Sequence, residues 1–216
     1  MKRRNFSVLS GVGLAAVVAL PGSVLAQTKP PVAGTDYLVL DKPAPVEAAR
    51  GKIEVVEFFW YSCPHCNAFE PALNAWAKAL PKDVALRRVP VAFRDDFVPQ
   101  QRLYYALEAL GLLAKLHAQV FAAIHVDKQK LASAAEIADW AAKQGVDRAK
   151  FTEQYNSFSA STKATRGTQL QNTYKVEGVP ALGVAGRFYI DSTLAQGMER
   201  ALKVADFLTA EVRSGR

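Results

Sequence analysis

Cysteine is nearly absent from this chain, with two residues in 216, and histidine is almost as scarce, with three. Two cysteines exclude a disulfide-stapled scaffold, and the pair leaves too few ligands for a structural zinc site, which takes about four. A block of like charge is missing too. The 27 basic and 20 acidic side chains are interleaved, which describes solvated faces and offers no footprint for nucleic acid. Past the first 26 residues, no apolar run approaches the roughly 20 residues that cross a bilayer. Internal repeats and low-complexity tracts are also lacking.

The amino terminus, by contrast, has the layout of an export leader. Lys2, Arg3 and Arg4 form a basic start, an apolar run follows from Val8 to Leu20, and Val24-Leu25-Ala26 ends on the small residues of a signal-peptidase site. Residues 1–26 are therefore expected to be a signal peptide cleaved after Ala26. An uncleaved anchor is the lesser reading, because the run is too short to span hydrocarbon. Arg3-Arg4-Asn5-Phe6 also resembles a twin-arginine signal, ranked second to the ordinary secretory route. Either route leads to the oxidising periplasm of a bacterial cell. Cleavage removes three basic residues and no acid, so the formal charge of +7 drops by those three charges and becomes unremarkable.

The mature remainder suits one domain carrying an insertion. Gln27 to Gly34 reads as a mobile arm. Ile53 to Trp60 is a nearly continuous apolar, β-rich run, the pattern of a central strand buried on both faces. Directly after it comes Ser62-Cys63-Pro64-His65-Cys66, then Ala68, Phe69, Leu73, Ala75, Trp76 and Leu80 at helical spacing. Both cysteines thus fall in the first turn of a helix. Pro64 suits the first helical position, where the N–H it lacks would have no partner, and Pro71 is expected to kink the helix. Val84 to Phe93 reads as a second strand, Gln101 to about Tyr155 as several short helices, and Ser161 to Tyr174 as another helix. Ser133 and Glu136 have the spacing of a capping box. Gly178-Val179-Pro180 leads into a strand over Ala181 to Ala185, Gly186-Arg187 turns, Phe188 to Ile190 returns, and Glu199 to Val212 closes as an amphipathic helix. This order matches an α/β, thioredoxin-like fold: a mixed sheet flanked by helices over 27–99 and 162–216, with an all-helical insertion over 100–161.

Every thiol of the chain sits in one C-x-x-C unit, Cys63 and Cys66. A structural disulfide there would close a very short loop, for which the loop-entropy account gives the least stabilisation. A metal site would need His65, His117 or His125 to complete it, and the last two sit in an apolar helical region typical of packed or surface histidines. A redox pair remains. A thiolate at a helix start faces unpaired N–H groups and the positive end of the helix dipole, which lower its pKa. Cys63 is better placed for this, and Cys66, deeper in the first turn, is expected to be buried and to resolve the exchange. Pro64 and His65 bear on direction: a His65 that stabilises the Cys63 thiolate favours the reduced enzyme and so makes its disulfide the stronger oxidant.

Two further features belong with the pair. Val179-Pro180 at a strand entry is a candidate cis bond that would lie against the cysteine turn and offer main-chain groups to an extended substrate. Glu57 falls inside a strand expected to be dry, where an ionised carboxylate is costly without a partner. It is a candidate to accept or relay the proton of Cys66.

Glu57-Phe58-Phe59, Cys63-Pro64-His65-Cys66 and Gly178-Val179-Pro180 together resemble the periplasmic thiol:disulfide oxidase family, DsbA, and the layout agrees over nearly the whole mature chain. The resemblance implies Cys63 as the exposed nucleophile, Cys66 as its buried partner, Pro180 as a cis proline and Glu57 as a buried acid. It further implies a basic neighbour for that acid, Arg88, or Arg87 should the strand register slide. Newly exported, unfolded protein thiols are the implied substrates, and a quinone-linked inner-membrane oxidoreductase (DsbB-like) is the implied reoxidant, with no cofactor or metal. Tyr61-Ser62 departs from the family, whose familiar members carry a more aromatic pair there, so the surface beside Cys63 is expected to be less apolar. A reductase or isomerase sharing the motif is the alternative activity, and a binding module with a spent redox site is a third reading. The absence of an obvious dimerisation segment before the sheet favours a monomeric oxidase.

Overall fold

The computed structural model describes residues 29–216. The predicted leader and its cleavage site lie outside the described residues. Alternation along the central strand β2, Ile53–Phe59, explains the layers. It is buried almost throughout, with Val55, Glu57 and Phe59 facing one side and Glu54, Val56 and Phe58 the other. On its flanks lie β3, Val84–Pro90, in parallel register, and β4, Ala181–Val184, antiparallel. Beyond β4 come β5, Phe188–Asp191, and the short edge strand β1, Leu38–Val39, giving the sheet order β1-β5-β4-β2-β3.

Helix α1, Pro64–Lys78, and the last helix α7, Met198–Arg213, cover one face. Phe69, Leu73, Val55, Leu182 and Leu208 belong to its core. The opposite face is closed by α6, Phe158–Thr173, and by Tyr174, whose ring meets Phe58 edge-on at 5.1 Å. Between β3 and α6 runs the helical block: a 3₁₀ turn at Asp95–Phe97, then α2 (Val98–Ala109), α3 (Leu113–His125), α4 (Ala134–Lys143) and α5 (Arg148–Asn156). Its own core reaches the sheet through Phe59 and takes in Tyr61, Cys63 and Cys66. The redox turn is therefore the seam between the sheet and the helical block.

Several expected boundaries move. β3 ends at Pro90 where the apolar pattern suggested Phe93, because the chain leaves the sheet after one last bond from the Val91 N–H to the Phe59 carbonyl at 2.9 Å. Helix α6 begins at Phe158 instead of Ser161, since Ser157 caps it by accepting the Ala160 N–H at 3.1 Å. The hairpin turn uses Ala185 and Gly186, both at positive φ, instead of Gly186-Arg187. A side chain at Gly186 would collide with the Ala44 carbonyl. Helix α1 continues through Pro71 without ending there. Among the described residues, no helix is long and apolar enough to cross a membrane.

Candidate active site at the opening of helix α1

Cys63 is the N-cap residue of α1, extended at φ −82° and ψ 117°, with Pro64 opening the helix behind it. Its Sγ accepts the Cys66 N–H at 3.4 Å, one of the orphan donors of the first turn. The two thiols are not bonded to each other in this structure. Their environments drive them apart. The Cys63 pKa is lowered to about 6, first by the hydrogen bond from the Cys66 thiol, then by the N–H groups of Cys66 and His65 and the charge of His65. Cys66 has no exposed surface, and burial, followed by its bond to Cys63, pushes its thiol far up. Near neutral pH the arrangement favours a thiolate at residue 63 alone.

Cys63 itself is only 8% exposed, which corrects the expectation of a freely exposed nucleophile. The Val179 carbonyl lies 3.3 Å from Sγ, where it can hold the proton of the neutral thiol. The Val179–Pro180 bond is cis, and both residues border a cavity of about 350 Å³ together with His65, Phe69 and Met198. Pro64 and His65 are exposed on the first turn.

Beneath the turn, Glu57 is completely buried and its pKa is raised to about 8, chiefly by burial and further by the nearby Glu70, while Arg88 opposes. Parallel pairing places Arg88 directly opposite Glu57, with Nε 3.0 Å from Oε2, yet neither Glu57 oxygen has a well-aligned hydrogen-bond donor. Arg87 serves the other face of the sheet, reaching Glu47 at 3.3 Å and Glu54 at 3.5 Å. Of the two arginines, Arg88 is the one beside Glu57. It also reaches Glu70 at 3.5 Å and donates to Asn74 Oδ1 at 2.8 Å.

Residues 54–203 match the family of the DSBA-like thioredoxin domain. The chain belongs to the DsbA family. It is a thiol:disulfide oxidoreductase of thioredoxin-like fold. The thiol:disulfide interchange protein DsbA of Burkholderia cepacia is 40% identical over 213 residues, 99% of this chain and 98% of that one. A crystal structure of Pseudomonas aeruginosa DsbA aligns at TM-score 0.81 with 41% identity, over 85% of this chain and 95% of that chain. The oxidoreductase NmDsbA1 from N. meningitidis aligns at TM-score 0.75 with 30% identity, over 85% and 95%.

Of the Tyr61-Ser62 pair that precedes Cys63, only Ser62 reaches the surface, and it is half-buried. Tyr61 is fully buried, its ring packed edge-on against Phe59 at 5.1 Å and Phe121 at 5.1 Å. Its hydroxyl lies 2.8 Å from His117 Nδ1, and His117 Nε2 lies 3.4 Å from Glu70. Burial lowers the His117 pKa, so the ring is neutral near pH 7. Burial acts to raise the Glu70 pKa, but the hydrogen bond from His117 and the charge of Arg88 outweigh it, leaving a carboxylate. The Nε2 proton therefore faces Glu70, and Tyr61 donates to Nδ1. Sequence reasoning missed Glu70, Gln100 and the placement of His117 and His125. The last three contact Ser62 or Tyr61 across 38, 56 and 64 positions, so no local spacing announces them.

Proposed function

We propose that this chain donates its Cys63–Cys66 disulfide to newly exported, unfolded proteins in the periplasm. The observation that carries this reading is the contrast within the pair: Cys63 Sγ accepts an N–H at the opening of α1, while Cys66 is sealed beneath it. In the oxidised enzyme a substrate thiolate attacks Cys63 Sγ, the Cys63–Cys66 bond breaks, and Cys66 leaves with the electron pair. The second substrate thiolate then attacks its partner sulfur in the mixed disulfide, and Cys63 leaves as a thiolate. Two electrons pass to the enzyme and one disulfide to the substrate. A leaving group that is stable as an anion leaves faster, and a stabilised reduced state makes the disulfide more oxidising.

Cys66, by contrast, must be protonated on leaving, because its burial disfavours the anion. Glu57, with a pKa of about 8, carries a proton near neutral pH and is suited to supply it, then to take it back on reoxidation. Arg88 keeps Glu57 from becoming still less acidic. Val179, Pro180 and His65 border one cavity and suit an extended substrate backbone, with the exposed Pro64 next to His65 on the first turn of α1. The reduced pair is reoxidised by a quinone-linked, DsbB-like inner-membrane oxidoreductase, and the enzyme works as a monomer after removal of residues 1–26. No cofactor enters this scheme.

The test is to mix oxidised protein with a reduced, unfolded client and to follow client disulfides, with the redox equilibrium against glutathione measured alongside. Rapid client oxidation and an oxidising equilibrium support the reading. A strongly reducing equilibrium would assign the chain to disulfide reduction instead.

A further inference from the structure

The dipeptide before the nucleophile directs its polar groups into the helical block. Tyr61 Oη donates to His117 Nδ1 at 2.8 Å, and the Tyr61 carbonyl accepts from His125 Nε2 at 2.8 Å. A carbonyl can only accept, so His125 carries its proton on Nε2. Ser62 is gripped at two points by one side chain. Its N–H donates to Gln100 Oε1 at 3.1 Å, and its Oγ accepts from Gln100 Nε2 at 2.7 Å. Gln100 Nε2 also lies 3.3 Å from the Lys130 carbonyl and 3.4 Å from that of Leu131, in the loop between α3 and α4.

Gln100 is 3% exposed, and a buried amide is costly unless its donors and acceptor are all met. Here they are met, by the strand-to-helix turn on one side and the helical block on the other. The next link is covalent. Cys63 N–H closes the turn onto the Trp60 carbonyl at 3.0 Å, so the orientation of the Tyr61–Ser62 peptide fixes where Cys63 begins the helix. Sγ meets the Cys66 N–H at 3.4 Å, so a rotation of that turn carries the sulfur away from the amide.

We propose that Gln100, assisted by His125, is a positioning residue for disulfide exchange: by clamping the Tyr61–Ser62 peptide it holds Cys63 Sγ on the first-turn amides of α1. The helical block thereby sets the reactivity of a cysteine it does not itself supply. This rests on the exchange reading above. Ser62 is in this account the partner that Gln100 requires. The groups that face Cys63 directly, Cys66 and His65, are left unchanged by substitutions at Gln100, Ser62 or His125.

The experiment is thiolate titration of the reduced protein in Gln100→Met, Ser62→Ala and the double variant, with the glutathione equilibrium measured in parallel. Gln100→Met keeps the volume and removes both contacts to Ser62. It is expected to raise the Cys63 midpoint by about one pH unit, a tenfold fall in the acid constant, and to make the protein less oxidising. Ser62→Ala shifts it less in the same direction, and the double variant shifts it no further than Gln100→Met alone. His125→Phe shifts the midpoint upward, while His125→Gln, which retains an N–H donor, restores it. That pair decides the matter should Gln100→Met fail to fold. An unchanged midpoint and potential in a less stable Gln100→Met, or additive shifts in the double variant, overturn the proposal. A wild-type midpoint near that of free cysteine sinks the exchange reading itself, which separates the two failures.

Discussion

Replacing Glu57 with glutamine is expected to make the protein more stable at neutral pH, although it removes a buried ionisable group with an arginine beside it. The carboxyl moves from an ordinary value of 4.5 in the open chain to about 8 in the fold, mainly through burial. Folding stability tied to this group is therefore fully present below about pH 4.5 and is lost as pH rises through about 8. At about 1.4 kcal/mol for each tenfold change, the full loss is about 5 kcal/mol, of which about 3 kcal/mol has gone by pH 7. Glutamine cannot ionise, and Arg88 keeps Glu70 at 3.5 Å as a counter-charge. Urea unfolding of the oxidised proteins removes the thiol titrations and isolates the effect. The two proteins should match near pH 4 and separate by about 3 kcal/mol at pH 7, with Glu57→Gln the more stable. A difference that does not change between pH 4 and pH 8, or a wild type that is more stable at pH 8, refutes the reasoning.

The same Glu57→Gln variant should exchange more slowly and with an altered pH profile, read by stopped-flow mixing with a dithiol peptide; unchanged rates and profile would remove Glu57 from the proton path. Cys66→Ser should accumulate a mixed disulfide between Cys63 and client, visible on non-reducing gels, whereas Cys63→Ser should trap none and abolish client oxidation. Phe59→Ala, which empties the meeting point of Tyr61, Tyr104, His117 and Phe121, should cost about 3–5 kcal/mol in denaturant unfolding. Ser133→Ala removes the capping box of α4 and should cost about 1 kcal/mol while leaving client oxidation unchanged.

The parts of this molecule visible in its sequence are those governed by local rules. A nearly continuous apolar run marked β2, proline after a cysteine marked the start of α1, and the Ser133–Glu136 spacing marked α4. Strand β1 was invisible because two residues, both exposed, carry no alternation to detect. The start of α6 was missed because Phe158 points to solvent at 87% exposure and breaks the apolar period. At the site, Glu57 stood out as a charge inside a dry strand. Choosing Arg88 over Arg87 required the strand register, since a shift of one residue turns the side chain to the other face. Gln100, His117 and His125 belong to the site only through packing of the helical block on the redox turn, and their roles depend on contacts between distant segments.

The central claim is that the opening of α1 holds Cys63 as an anion at neutral pH, and the ultraviolet absorbance of the thiolate in the reduced protein tests it most directly. A single transition with a midpoint near pH 6, absent from Cys63→Ser, is the expected result. A midpoint near 9, the ordinary value for a cysteine thiol, would contradict it.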